Sequence, residues 1–296
     1  MPSENQTECI APTVRLAYFP IPAVDNALMD LRLSHQPKSQ CDNVLQGARG
    51  VKKLPDDMKP ALLVSFVYLQ PFLEKQSKCQ YRDWVLDSGA FSAHNSGKEI
   101  KLQDYIDCCK RLMDSDQTLT EVYSLDVIGD WKASLKNTEE MWRQGVPAIP
   151  CYHYGEPWDV LKGMAKDYPK IALGGVAMKW AVKNKFAEQC FARVWPKRIH
   201  GFGYGSEKSI MALPWDSVDA TNWEIGPCKY GQWRSFGKMS IRGSKQNLRA
   251  EVEYYLKLER KARNKFGAAL SKLEKLDLRL ALSRKDLTRD ITKALL

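Results

Sequence analysis

Residues 61–69 read ALLVSFVYL and residues 83–87 read DWVLD. Each is a short apolar run that gives way to polar or turn-forming residues, the pattern of a strand covered on both faces. The same rhythm recurs in VYSLD (122–126), VPAIPC (146–151), KIALGG (170–175), RIHGFG (198–203) and DSVDAT (216–221), and VRLAYF (14–19) can supply an eighth strand. Amphipathic segments lie between several of these runs: LQDYIDCCKRLMD (102–114), SLKNTEEMWRQG (134–145) and AVKNKFAEQCFARVW (181–195). Strands alternating with helices predict an α/β protein with a parallel sheet. Eight of them predict a (β/α)8 TIM barrel over residues 1–243. An open doubly wound sheet is the rival, and the lack of a GxGxxG after the first strand weighs against it.

The segment 21–60 is polar and reads as an insertion or long loop. Residues 244–296 read as a basic helical extension, in which Leu248, Val252, Tyr255, Leu256, Leu273, Leu276 and Leu280 keep helical spacing. From Lys245 to Leu296 the chain carries an excess of +7, most of its formal net charge of +10. A basic surface suits a polyanion, usually nucleic acid, and Arg260, Lys261, Arg263 and Lys265 are the candidate phosphate contacts. The competing reading is a solvated helix face packed on the barrel.

The remaining composition narrows the class. At 44% hydrophobic and 10% aromatic residues in 296, the chain can bury a sizeable core and is not disordered. No run of about 18 apolar residues occurs, so no membrane partner is expected. The polar start MPSENQTECIAPT lacks a signal-peptide pattern, and a cytoplasmic protein is expected. Cysteines stand at 9, 41, 79, 108, 109, 151, 190 and 228 without a CxxC pair. Scattered reduced thiols, no metal and no cofactor are expected from that spacing.

Active sites of such barrels lie at the C-terminal ends of the strands. The runs end on Asp87, Asp126, Tyr152-His153, Gly174-Gly175, Gly203 and Asp219. Three carboxylates from separate strands thus converge on one face. Two carboxylates across a sugar carbon can exchange a glycosidic bond, one attacking and the other shuttling the proton of the leaving group. A third can accept the two adjacent N–H donors on the edge of a guanine-type base. Phe91 and Phe202 lie beside the strand ends, where rings could hold a flat base. His35, His94 and His200 read as surface or core histidines.

The pieces LDSGAFS, SLD, ALGGVA, HGFGYG and VDATNW, in this order over about residues 60–225, resemble the tRNA-guanine transglycosylase superfamily, which includes phage and bacterial DNA-guanine transglycosylases. The resemblance implies that Asp87, followed by Ser88 in the substrate pocket, is the proton shuttle, that Asp219 is the nucleophile and that Asp126 recognises the base. Phe91 and Phe202 would sandwich the base, and Gly174 and Gly175 would let the backbone approach it. His153 stands where the family has a glutamine, so a contact to a carbonyl or nitrile is expected of it instead. The family's zinc module is missing: only Cys228 and no histidine follows Asp219. That departure, with the basic tail, points to DNA as partner rather than tRNA, and to a free 7-deazaguanine, the 7-cyano form, as the incoming base. The oligomeric state is left open. A nucleic-acid-binding barrel without catalysis is the reading from another class.

Overall fold

The computed structural model describes residues 12–18, 59–175, 180–223 and 245–273. Eight parallel strands form one sheet: β1 (Thr13–Tyr18), β2 (Ala61–Ser65), β3 (Trp84–Asp87), β4 (Leu119–Val122), β5 (Cys151–His153), β6 (Lys170–Gly174), β7 (Arg198–Gly201) and β8 (Ser217–Ala220). Their order is β4-β3-β2-β1-β8-β7-β6-β5. The two ends of that order meet through a parallel bridge between Tyr123 and Ile149, where Ile149 N donates to Val122 O and Ser124 N to Ile149 O, both at 2.9 Å. The sheet therefore closes into a barrel, and the open doubly wound alternative falls. Two strands sit away from their sequence-based positions. The fourth begins three residues before VYSLD, and the fifth takes only Cys151 from VPAIPC and continues to His153.

Helices alternate with the strands: α1 (Leu69–Lys75), α2 (Ala90–Asn95), α3 (Leu102–Ser115), α4 (Trp131–Arg143), α5 (Trp158–Asp167), α6 (Trp180–Val194), the short α7 (Glu207–Ile210) and α8 (Lys245–Leu273). Helix α4 starts earlier than its apolar pattern suggests because Asp130 caps it, accepting from Lys132 N and Ala133 N. The expected insertion at 21–60 lies outside the described residues except at Lys59 and Pro60. Helix α8 packs onto β1 as the barrel's last helix, burying Val252, Tyr255, Leu258, Ala262 and Phe266. Glu259 fixes it there: its carboxylate accepts from Val14 N at 2.9 Å and pairs with Arg82 and Arg263 at 2.9 and 2.8 Å. The basic helical extension thus packs on the barrel through the face that Val252, Tyr255, Leu258, Ala262 and Phe266 share.

Period-two alternation sorts every strand into an outward and an inward face. Outward go Leu16, Leu62, Val64, Trp84, Leu86, Ile171, Ile199 and Val218, all buried under the helices. The inward positions form three levels. Arg15, Glu121, Lys170 and Arg198 with Asp216 fill the N-terminal end, where Lys170 Nζ lies 2.6 Å from both Glu121 and Asp216. Above them Leu63, Val85, Tyr123, Cys151 and Ala172 make a small apolar cluster. Above that, at the C-terminal end, come the carboxylates. The charged plug is costly to desolvate, so it holds only because each charge has a partner.

Candidate active site

The sequence DSGAF makes the turn that presents Asp87. Gly89 has a φ of +74°, and a Cβ there would meet Ser65 Oγ at 2.6 Å, so only glycine fits. Its N–H donates to Asp87 Oδ2 at 3.1 Å. Ser88 is buried beside it. Phe91, on the first turn of α2, is 64% exposed at the barrel mouth. An apolar ring so placed is a surface on which a flat ligand could lie.

Asp219, on β8, is nearly buried and accepts from Gly203 N in the loop after β7. Lys183 on α6 binds Gly203 O from the other side, and its charge reaches Asp219. Burial pushes Asp219 up to about 6 against these two opposing influences. Asp87 rises further, to about 7, through burial and then through the negative charges of Asp126 and Asp219. Burial thus holds both carboxylates above their ordinary range, and the charges of Asp126 and Asp219 add to the rise at Asp87 while Gly203 N and Lys183 oppose it at Asp219.

Asp126 follows β4 and His153 ends β5. Asp126 Oδ2 lies 3.3 Å from His153 Nε2, and His153 Nδ1 lies 2.8 Å from Glu156 Oε1. The Cys151 sulfur beside it, then its bonds to Asp126 and Glu156, hold His153 above the ordinary histidine range. Burial keeps Cys151 itself a neutral thiol, pushed up to about 12, so at neutral pH the two carboxylates are the groups that favour the imidazolium. Asp126 Oδ1 is buried and has no hydrogen-bond partner. An orphaned carboxylate oxygen costs free energy until a donor arrives, so this atom is built for a ligand N–H.

Other expected residues have a different setting. Phe202 is half-buried, its ring centroid 4.9 Å from that of Tyr123 and 4.6 Å from that of His200, so it belongs partly to the interior cluster. Gly174 and Gly175 were expected to clear room for a ligand. The room a Cβ would need at Gly174 is bounded by Cys151 Sγ at 2.7 Å and His153 Cδ2 at 2.9 Å. Gly175 has a φ of +66°, and a Cβ there would meet His153 Cβ at 3.2 Å and Tyr154 N at 3.3 Å, so its backbone conformation and close packing already favour glycine. Arg263 pairs with Glu259, Lys261 with Glu207 and Lys265 with Met211 O, while Arg260 is exposed. These four lie near the N-terminal ends of the strands, where Glu259 meets Val14, away from the carboxylates.

His200, Glu156 and Lys183 join the site without having been singled out as functional in the sequence. His200 is fully buried, held by Ser217 Oγ at 2.8 Å, with Nε2 lying 3.9 Å from Asp219; burial, then Lys170 and Arg15, keep it neutral. Glu156 and Lys183 sit in loops or on helices that only the closed barrel brings inward. Cys151 and His153 could have been paired from sequence: they are two apart on one strand and so share its inward face. With Asp126 they put three possible metal-ligand atoms within 4.8 Å of one another. Among the described residues Cys108, Cys109, Cys151 and Cys190 are buried thiols outside any disulfide.

No family model and no curated protein matches the sequence. Solved structures similar to the chain include a proposed fructose-1,6-biphosphate aldolase from Coccidioides immitis, at 9% identity and a TM-score of 0.47, over 86% of this chain and 90% of that one. The tryptophan synthase subunit alpha from Campylobacter jejuni shares 12% identity at a TM-score of 0.42, over 82% and 94%. The carboxyl transferase domain of Rhizobium etli pyruvate carboxylase shares 11% at 0.42, over 86% of this chain and 48% of its own.

Proposed function

We propose that the protein is a DNA-guanine transglycosylase, exchanging guanine in DNA for a free 7-deazaguanine. The observation that carries this reading is the pair Asp87 and Asp219, brought to one barrel mouth from β3 and β8 with pKa values of about 7 and about 6. At neutral pH Asp219 is mostly ionised and attacks the anomeric carbon. The bond to the base breaks, and Asp87, still partly protonated, gives its proton to the leaving guanine. The incoming base loses a proton to Asp87 and displaces the Asp219 carboxylate, so the configuration is retained. Asp126 Oδ1 accepts an N–H from the base edge, and Phe91 covers one face. No step consumes ATP or uses a metal. The target nucleotide must leave the stack, at a cost of a few kcal/mol that single-stranded DNA lowers.

The test is incorporation of labelled guanine into single-stranded DNA, duplex DNA and tRNA in parallel. We expect incorporation into single-stranded DNA, its loss in Asp219→Asn with folding intact, and a trappable covalent adduct with wild type alone. Asp126→Ala should lower kcat/KM for guanine release by a factor equivalent to roughly 2–4 kcal/mol, since it removes the acceptor for donors held in a dry pocket. Incorporation into tRNA alone would replace the DNA substrate and keep the chemistry. No incorporation into any of the three would remove the reading.

A further inference from the structure

We infer that Asp126, Cys151 and His153 form a binding site for a single divalent cation of borderline softness, with Zn2+ the natural occupant. The inference goes beyond base exchange, whose steps use no metal. The donors are one carboxylate oxygen, one sulfur and one imidazole nitrogen, all within 4.8 Å of one another, drawn from β5 and from the segment after β4. A mixed O, N and S set selects zinc over magnesium or calcium, which take oxygen. Three protein donors leave a fourth tetrahedral position for water or a substrate atom.

Two further features support the site. The first is the close approach of Gly174: an ideal Cβ on that residue would lie 2.7 Å from Cys151 Sγ and 3.1 Å from His153 Nε2. Any other amino acid would press on both donors and displace them, so glycine is what lets sulfur and imidazole stand together on one side of β6. The second is Glu156, whose Oε1 is 2.8 Å from His153 Nδ1. A carboxylate on the far ring nitrogen fixes the ring orientation and leaves Nε2 for the metal, the usual outer support of zinc-binding histidines. Bound through Oδ2, the side near His153, Asp126 still has the buried and unpartnered Oδ1 free for a base N–H. Ligation releases the Cys151 thiol proton and any proton on His153 Nε2 to solvent, so affinity rises with pH.

Cobalt is the probe, because its thiolate complexes absorb in the near ultraviolet where zinc is silent. The full chain, treated with chelator and then titrated with Co2+, should bind one equivalent with a thiolate-to-cobalt band that one equivalent of Zn2+ abolishes. Cys151→Ser should lose the band and Cys190→Ser should keep it. His153→Asn should weaken binding, and Glu156→Gln should weaken it about 10- to 100-fold. Should Cys151→Ser fail to fold, the His153 and Glu156 variants decide the matter alone. Absence of the band in wild type, a band that survives Cys151→Ser, or cobalt affinity unchanged by both His153→Asn and Glu156→Gln overturns the site. The optical readout needs no substrate. A band without guanine incorporation sinks the exchange reading and keeps the metal; incorporation without a band does the reverse.

Discussion

At the scale of single residues, the site stores instability in Asp87. Its carboxyl stays protonated to about pH 7, whereas the unfolded chain releases that proton near the ordinary value of 3.8. Between those values the folded state holds more protons than the unfolded state, so raising the pH costs stability. Removing the ionisable group removes the penalty. Asp87→Asn is therefore expected to stop base exchange yet raise the melting temperature, by a margin that is small near pH 4, grows towards pH 7 and then levels off, on the order of 2–4 kcal/mol. A margin that shrinks as the pH rises would mean that Asp87 is not held protonated. The same two carboxylates set the rate profile: kcat/KM should rise as Asp219 ionises near 6 and fall as Asp87 ionises near 7. Asp87, Asp126, His153 and Asp219 were legible in the sequence because the strand-end rule needs only the ends of apolar runs. Glu156 and Lys183 were not, because their approach depends on loop geometry and on closure of the ring; His200, read as a surface or core histidine, is core.

The strands and helices were legible where their signal is local. Short apolar runs located β2, β3, β6, β7 and β8, and apolar spacing located α3 and α6 to within a residue or so. The fourth and fifth strands were misplaced because they are short and joined by a single bridge, so tertiary pairing rather than propensity sets their limits. Helix α8 was legible as a helix, and packing on the barrel was one of the two readings its basic, apolar-striped sequence left open. Its position depends on Glu259, which meets Val14 N, Arg82 and Arg263 and is almost wholly buried. Glu259→Ala leaves the Val14 N–H and the Arg82 guanidinium without that acceptor. It should cost roughly 3–5 kcal/mol, read as a lower urea midpoint with an unchanged m-value. A change within about 0.5 kcal/mol would make α8 the appendage that its composition suggests.

At the scale of the whole molecule, the question is which end of the barrel a polyanion meets. The carboxylates that would do the chemistry lie at the C-terminal mouth, while Lys261, Arg263 and Lys265 serve contacts near the other end. Lys162, Lys166, Lys197 and Arg198 line a hollow at that other end too, beside the starts of β6 and β7. These seven basic residues are therefore placed away from the phosphates flanking a nucleotide flipped into the mouth. On the mouth side stands Lys132, at the start of α4 and 5.5 Å from the centroid of the Trp131 ring, a cation beside an aromatic surface on which a base could stack. DNA affinity should fall steeply with salt, since each neutralised phosphate releases condensed counterions. Lys132→Glu should weaken binding to all sequences alike and flatten the plot of log affinity against log salt by about 0.7–0.9, one phosphate contact. Lys257→Glu with Arg260→Glu, two exposed positions of α8, should leave that slope unchanged. Reversing Lys261, Arg263 and Lys265 as well would mix binding with folding, because Glu207 and Glu259 would each lose a cationic partner and face a new negative charge. If the α8 pair flattens the slope and Lys132→Glu does not, the nucleic acid runs along the flank of the barrel, and the phosphate surface is the one the basic tail announces.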